Sequence, residues 1–203
     1  MARRDPAPRD TRERILRAAR SVFEEQGYHA ASIDDVAARA GVTKGAVYYW
    51  FTDKDDLARD LQQELWEQLK GAALATFEAD RDIVSNLEHG LEAYLIALQR
   101  LGSARFFLRD SWTIPALVAD DDERGSARAL IKGFLELGID RGEILALDAD
   151  AMAAVLVGAY CEATLHILTT GGDPEPTVAV IRTIVRALAA PKNARQKAKA
   201  STK

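Results

Sequence analysis

The chain has 203 residues, 48% hydrophobic and 29% charged, with 27 basic and 31 acidic side chains for a formal net charge of −4. That length and composition describe one or two globular domains with a proper core. A single cysteine, Cys161, excludes an internal disulfide framework and fits a reducing compartment, and no segment reaches the run of about eighteen unbroken apolar residues that a membrane helix needs.

Met1 to Arg9 is rich in arginine, holds two prolines and has no apolar run, so neither a signal peptide nor a membrane anchor is expected and the protein reads as soluble and cytoplasmic. Charge is unevenly spread. Residues 1–57 carry ten bases and ten acids, residues 58–190 twelve and twenty-one, and residues 191–203 five and none. Seven arginines against three acids in residues 1–20 concentrate positive charge on the arm and first helix, where it either follows phosphates or is simply solvated. The first helix is expected from Asp10, whose carboxylate can cap while Glu13 reaches back. It carries Ile15, Leu16, Ala19, Val22 and Phe23 on one face until Gly27.

Ser32 to Phe51 reads as two short helices joined by a tight turn. Ser32 can cap a helix whose third position is Asp35, a variant capping box. Ile33, Val36, Ala37 and Ala40 recur at helical spacing, and Gly41 follows where a left-handed residue must stop the helix. Thr43 offers an oxygen to cap a second helix through Phe51, which gives a helix-turn-helix. At about 100° per residue, an inward Val47 takes Phe51 inward too and puts Trp50 at the flank, while Gly45, Ala46, Tyr48 and Tyr49 face outward. Adjacent outward tyrosines beside a bare glycine suggest a surface shaped for another molecule, and DNA fits. Gly45 permits close backbone approach, a helix N-terminus attracts phosphate, tyrosine hydroxyls can bond phosphate oxygens, and a ring or Ala46 can touch a thymine methyl.

The block from about Thr11 to Leu57 resembles the DNA-binding domain of the tetracycline-repressor (TetR) family. The resemblance is carried by Gly27 and Tyr28, S-I-D-D-V-A at 32–37, A-G-V-T-K-G-A-V-Y-Y-W-F at 40–51 and D-K-D-D-L at 53–57. Trp50 departs from the pattern, since the family more often carries His, Tyr or a smaller polar group there. The resemblance implies an all-α fold: a three-helix DNA-binding domain over 10–53, then a helical ligand-binding and dimerisation domain over 54–190, with flexible tails at 1–9 and 191–203. Lys54 matches a position that touches phosphate, which makes the expected DNA-contacting set Ser32, Thr43, Lys44, Gly45, Ala46, Tyr48, Tyr49 and Lys54. The fourth helix, with Leu57, Leu61, Leu65 and Leu69 at intervals of four and Trp66 beside them, corresponds to the connecting helix that moves in the family when ligand binds.

Beyond Phe77 the pattern stays helical, with segments expected at 82–101, 104–113, 124–141, 148–170 and 174–190, about nine helices in all. The acidic run Asp120 to Glu123 reads as a solvated loop. Segment 148–170 is apolar around almost its whole circumference and must be covered on several sides. Its small residues Ala151, Ala154 and Gly158, with Val155 beside them, and the stripe Val178, Ile181, Val185 and Leu188 on the next helix could form a four-helix interface with a second copy, which is where the family dimerises. Tyr94, Phe106, Phe107, Trp112, Phe134 and Tyr160, with Arg109, Glu162 and His166 as polar handles, have the composition of a small-molecule pocket, or of ordinary core. Arg109 would favour an anion and Glu162 a cation.

Catalytic signatures are absent. His29, His89 and His166 share no metal-ligand spacing with each other or with Cys161, and there is no phosphate loop, dinucleotide fingerprint or nucleophile elbow, so no metal or cofactor is expected. The reading is a ligand-responsive transcriptional regulator, a repressor before an activator, that binds a palindromic operator as a homodimer and is released by a hydrophobic or amphipathic effector. A helical interaction or enzyme-like protein with a vestigial helix-turn-helix is the alternative.

Overall fold

The computed structural model describes residues 8–118, 122–171 and 173–191. The two expected tails lie outside these residues except for Pro8, Arg9 and Pro191, as do Asp120 and Asp121 of the acidic run. Among the described residues there are ten α-helices: α1 (Pro8–Gln26), α2 (Ile33–Ala40), α3 (Lys44–Trp50), α4 (Lys54–Leu74), α5 (Ile83–Leu101), α6 (Ala104–Leu108), α7 (Pro115–Val118), α8 (Asp122–Asp140), α9 (Ala149–Thr170) and α10 (Glu175–Ala187). A 3₁₀ turn, Asp110–Thr113, follows α6. The only β feature among them is an isolated bridge between Ile144 and Ala189.

Local chemistry explains the shifted boundaries. Helix α1 begins at Pro8, two residues before the expected cap, because proline is pre-organised for a first turn and Asp10 there meets the positive end of the helix dipole. Pro115, expected only as a break, opens α7 for the same reason. The expected loop at Asp120 to Glu123 is in part helical, since Asp122 and Glu123 start α8.

The chain forms two compact units, and its described residues divide into 8–67 with 101–118 and 68–100 with 122–171 and 173–191. This differs from the division between residues 53 and 54 expected from the sequence. The first unit is built on Ile15, Leu16, Ala19, Val22 and Phe23 of α1, which meet Val36 and Ala37 of α2, Val47 and Phe51, and Leu57, Leu61 and Leu65 of α4. Phe106, Ile114 and Leu117 complete this core, so α6, the 3₁₀ turn and α7 belong with the N-terminal helices. The ion pairs Arg12–Asp60 and Arg20–Glu64 tie α1 to α4. The second unit packs Ile83, Val84 and Leu87 of α5 against Leu135 of α8, Met152, Ala153 and Leu156 of α9 and Val185 of α10. At its base Ile83 N–H donates to the Glu143 carboxylate at 2.7 Å and Ala190 N–H to Glu143 O at 2.8 Å.

Candidate nucleic-acid interface

Helices α2 and α3 are fixed by contacts within three or four residues. The Ser32 hydroxyl accepts from Asp35 N–H at 3.2 Å and the Asp35 carboxylate accepts from Ser32 N–H at 2.9 Å, a reciprocal capping box. Hydrogen bonds from the Ser32 side chain and then its backbone hold Asp35 below the usual carboxylate range. Gly41 stops α2 at φ 65°, a left-handed conformation that a side chain would strain. From α1, the Arg14 guanidinium donates to the terminal carbonyl of Ala40 at 2.6 Å. Thr43 then caps α3, its hydroxyl accepting from Ala46 N–H at 3.1 Å.

With Val47 and Phe51 fully buried, α3 can present only its opposite side to solvent. That side carries Tyr49, 79% exposed, and Tyr48, 48% exposed, beside exposed Lys44 and Gly45 and half-buried Ala46. The Lys44 ammonium is 2.9 Å from the Asp34 carboxylate, whose hydrogen bond and charge raise the lysine pKa. Trp50 is half-buried against the core, and Tyr49 meets it edge-to-face.

Lys54 is engaged within the chain itself. The resemblance implies a phosphate contact, yet its ammonium donates to Tyr28 O at 3.0 Å and Ala31 O at 2.9 Å and lies 4.3 Å from the centre of the Tyr28 ring. It therefore clamps the loop between α1 and α2. Tyr28 is held further by its hydroxyl, which donates to Asp55. Burial first, then that carboxylate, push the phenol pKa well above its ordinary value.

A second support comes from residues 101–118. Asp110 accepts from Tyr28 N–H at 2.9 Å, His29 Nε2 lies 2.8 Å from the Thr113 hydroxyl, and Phe106 packs on Phe23 with centroids 5.3 Å apart. The Glu24 carboxylate on α1 accepts from Arg105 N–H at 3.2 Å and Phe106 N–H at 3.3 Å, which caps α6 from outside. Burial raises the Glu24 pKa despite these bonds. Sequence reading misses Glu24 and Asp110 because their partners are about eighty residues away and no local spacing marks them.

This geometry is matched by known proteins. Residues 15–61 fit the model for bacterial regulatory proteins of the tetR family. The HTH-type transcriptional repressor BepR of Brucella suis is 29% identical over 213 residues, covering 91% of this chain and 94% of BepR. The chain belongs to the TetR family. This TetR-family regulator is also 29% identical to the A-factor receptor protein of Streptomyces griseus over 147 residues, 72% of this chain but only about half of that protein, at 51%. Among solved structures, the tetR regulator tylp of Streptomyces fradiae matches with a TM-score of 0.69 and 29% identity over 92% of this chain and 90% of that one. Such relatives are transcriptional regulators rather than enzymes, and regulators of the family bind DNA.

The expected pocket residues of this TetR-family regulator are divided between the two units. Phe106 and Phe107 pack into the core of the N-terminal unit, and Arg109 and Trp112 of the same unit are exposed. In the other unit Phe134 packs on Phe77, while Glu162 and His166 face solvent. Only Tyr94 and Tyr160 meet, edge-to-face at 5.4 Å, with the Tyr160 hydroxyl donating to Leu91 O. Tyr160 also lines a small apolar pocket with Leu91, Leu95, Ile167, Val178 and Ile181, of about 20 Å³, roughly the space of one water.

The expected interface is corrected in part. Ala151, Ala154, Val155 and Gly158 are exposed along α9, with Val155 at 67%. Val178, Ile181 and Val185 instead turn inward against the core of their own unit. The large apolar residues that α10 leaves exposed are Val180 and Ile184. Among the described residues no three His, Cys, Asp or Glu side chains gather as a metal site.

Proposed function

We propose that this chain is a ligand-responsive repressor that binds a palindromic operator as a homodimer in the cytoplasm and leaves it when a small hydrophobic or amphipathic effector binds. In this reading residues 10–53 read DNA, braced by residues 101–118, and the rest of residues 54–190 carries the effector and dimer functions. The observation that carries it is the outer face of α3. Two exposed tyrosines stand beside a bare Gly45 on a helix whose other side is locked into a core, a surface with no use inside the monomer. Lys44 exchanges Asp34 for a phosphate, Tyr48 bonds a second phosphate, and Tyr49 lies against base edges with Gly45 and Ala46.

The homodimer is supported by α9. By length and mean hydropathy alone it could cross a membrane, although Asp150 and Glu162 interrupt it, yet only 28% of its most apolar eighteen-residue stretch is buried. In a DNA-binding regulator, a second copy covering Ala151, Ala154, Val155 and Gly158 of α9 and Val180 and Ile184 of α10 accounts for that surface. Two recognition helices then meet half-sites about one helical turn apart. Repression and release by a small molecule are the reading favoured by relatives named as a repressor and as a receptor.

Selection from a random DNA pool should return a palindrome. Tyr49→Ala should then cost on the order of 1–3 kcal/mol at that site and relax base preference. Unchanged binding by Tyr49→Ala would remove Tyr49 from the reading face.

A further inference from the structure

We infer that Trp50 is a positioning residue for DNA recognition: it holds the Tyr49 ring in one orientation and so sharpens base preference without reading a base itself. The inference rests on the proposed placement of Tyr49 against base edges. Tyr49 is the most exposed large hydrophobic side chain among the described residues, at 79%, so little else restrains its side-chain torsions. The Trp50 indole does, with ring centroids 5.1 Å apart and planes at 88°, the edge-to-face geometry that aromatic quadrupoles favour.

The indole is itself anchored. Trp50 is half-buried and packs against the core that holds Val47 and Phe51, so it is anchored on the inner side of α3 while its ring meets the exposed Tyr49. Successive residues on a helix diverge by about 100°, and such neighbours touch only when both side chains are large. A small or polar group at position 50 would leave Tyr49 without this wall. An edge-to-face pair biases an equilibrium between orientations by roughly 2- to 13-fold. A ring fixed before contact loses less freedom on binding, which favours the cognate site. It also cannot swing away from a base edge that does not fit, which penalises the wrong site. Trp50 thereby contributes to both affinity and discrimination.

The test uses the full chain, an operator selected from random DNA and single-base variants of it. Trp50→Ala should weaken cognate binding about 3- to 10-fold, flatten the preference among the variants and leave the salt dependence as in wild type. Trp50→Phe should keep most of the preference, whereas Trp50→Leu, which fills the core without a ring, should fold and lose it. In a Tyr49→Ala background Trp50→Ala should add nothing. Equal preference in the Phe and Leu variants, or the full Trp50→Ala effect persisting without Tyr49, overturns the positioning role while leaving Tyr49 as a base reader. Base preference untouched by Tyr49→Ala overturns the placement of Tyr49, and this inference with it.

Discussion

Lys54→Met separates a structural clamp from a phosphate contact. Methionine keeps the aliphatic stem beside the Tyr28 ring and removes the ammonium, with its bonds of 3.0 Å to Tyr28 O and 2.9 Å to Ala31 O. The cation also lies 4.3 Å from the Tyr28 centroid. Hydrogen bonds to charged groups contribute about 1.5–3 kcal/mol each, and a cation over a ring about 0.5–1 kcal/mol at exposed sites. Lys54 is only half-buried, so water can replace part of this, and we expect a loss of about 2–4 kcal/mol. In a chain of this size that lowers Tm by roughly 5–12 °C. Calorimetry measures the loss, and fluorescence anisotropy against salt on a labelled operator measures the phosphate count. A clamp lowers Tm and keeps the salt slope. A Tm within about one degree of wild type, with the slope reduced by about one, would refute the clamp.

Other predictions follow from single positions. No atom lies within 4 Å of a Cβ placed on Gly158, so Gly158→Arg should leave the monomer folded while a dimer gives way to monomers in sedimentation and operator binding is lost. Two glycines of α8 should answer oppositely to alanine. Gly133→Ala, with open space around it, should stabilise by roughly 0.5–1 kcal/mol in thermal unfolding. Gly138→Ala would bring a Cβ within 2.6 Å of Ile144 and should destabilise by about 1–3 kcal/mol. The hydrogen bond from Arg39, then that from Ser21, pulls the Glu25 carboxyl down to about 2. A depressed carboxyl contributes stability that is present above its unfolded value near 4.5 and is lost as pH falls towards about 2. An NMR titration should show this low midpoint, and Arg39→Ala should return it towards 4.5.

The recognition helices were legible because everything that shapes them is local. Ser32 with Asp35, Gly41, and Thr43 with Ala46 act over three or four residues, and the 3.6-residue period then decides that Val47 and Phe51 go in and Tyr49 goes out. The same period leaves α10 undecided. Val178, Ile181 and Val185 make one apolar stripe, Val180 and Ile184 mark another, and spacing alone cannot say which the monomer buries. The aromatic set meets a different limit. Phe106 was grouped with Tyr160 by composition, while its packing on Phe23 joins positions that no short-range pattern connects. For Lys54 the motif records which residue stands at the position, and not that the backbone carbonyls of Tyr28 and Ala31 already hold its charge.

The return of residues 101–118 to the N-terminal core bears on grafting. An exchange of DNA-reading heads between regulators at residue 53, the cut suggested by local pattern, would take Phe23 from Phe106, the Tyr28 amide from Asp110 and the α6 amides from Glu24. The reading head is a composite of two stretches of chain, and a hybrid that swaps one must carry the matching stretch of the other. Variation at Phe106 or Asp110 would then register as altered DNA binding, although neither residue lies anywhere near the recognition helix in sequence.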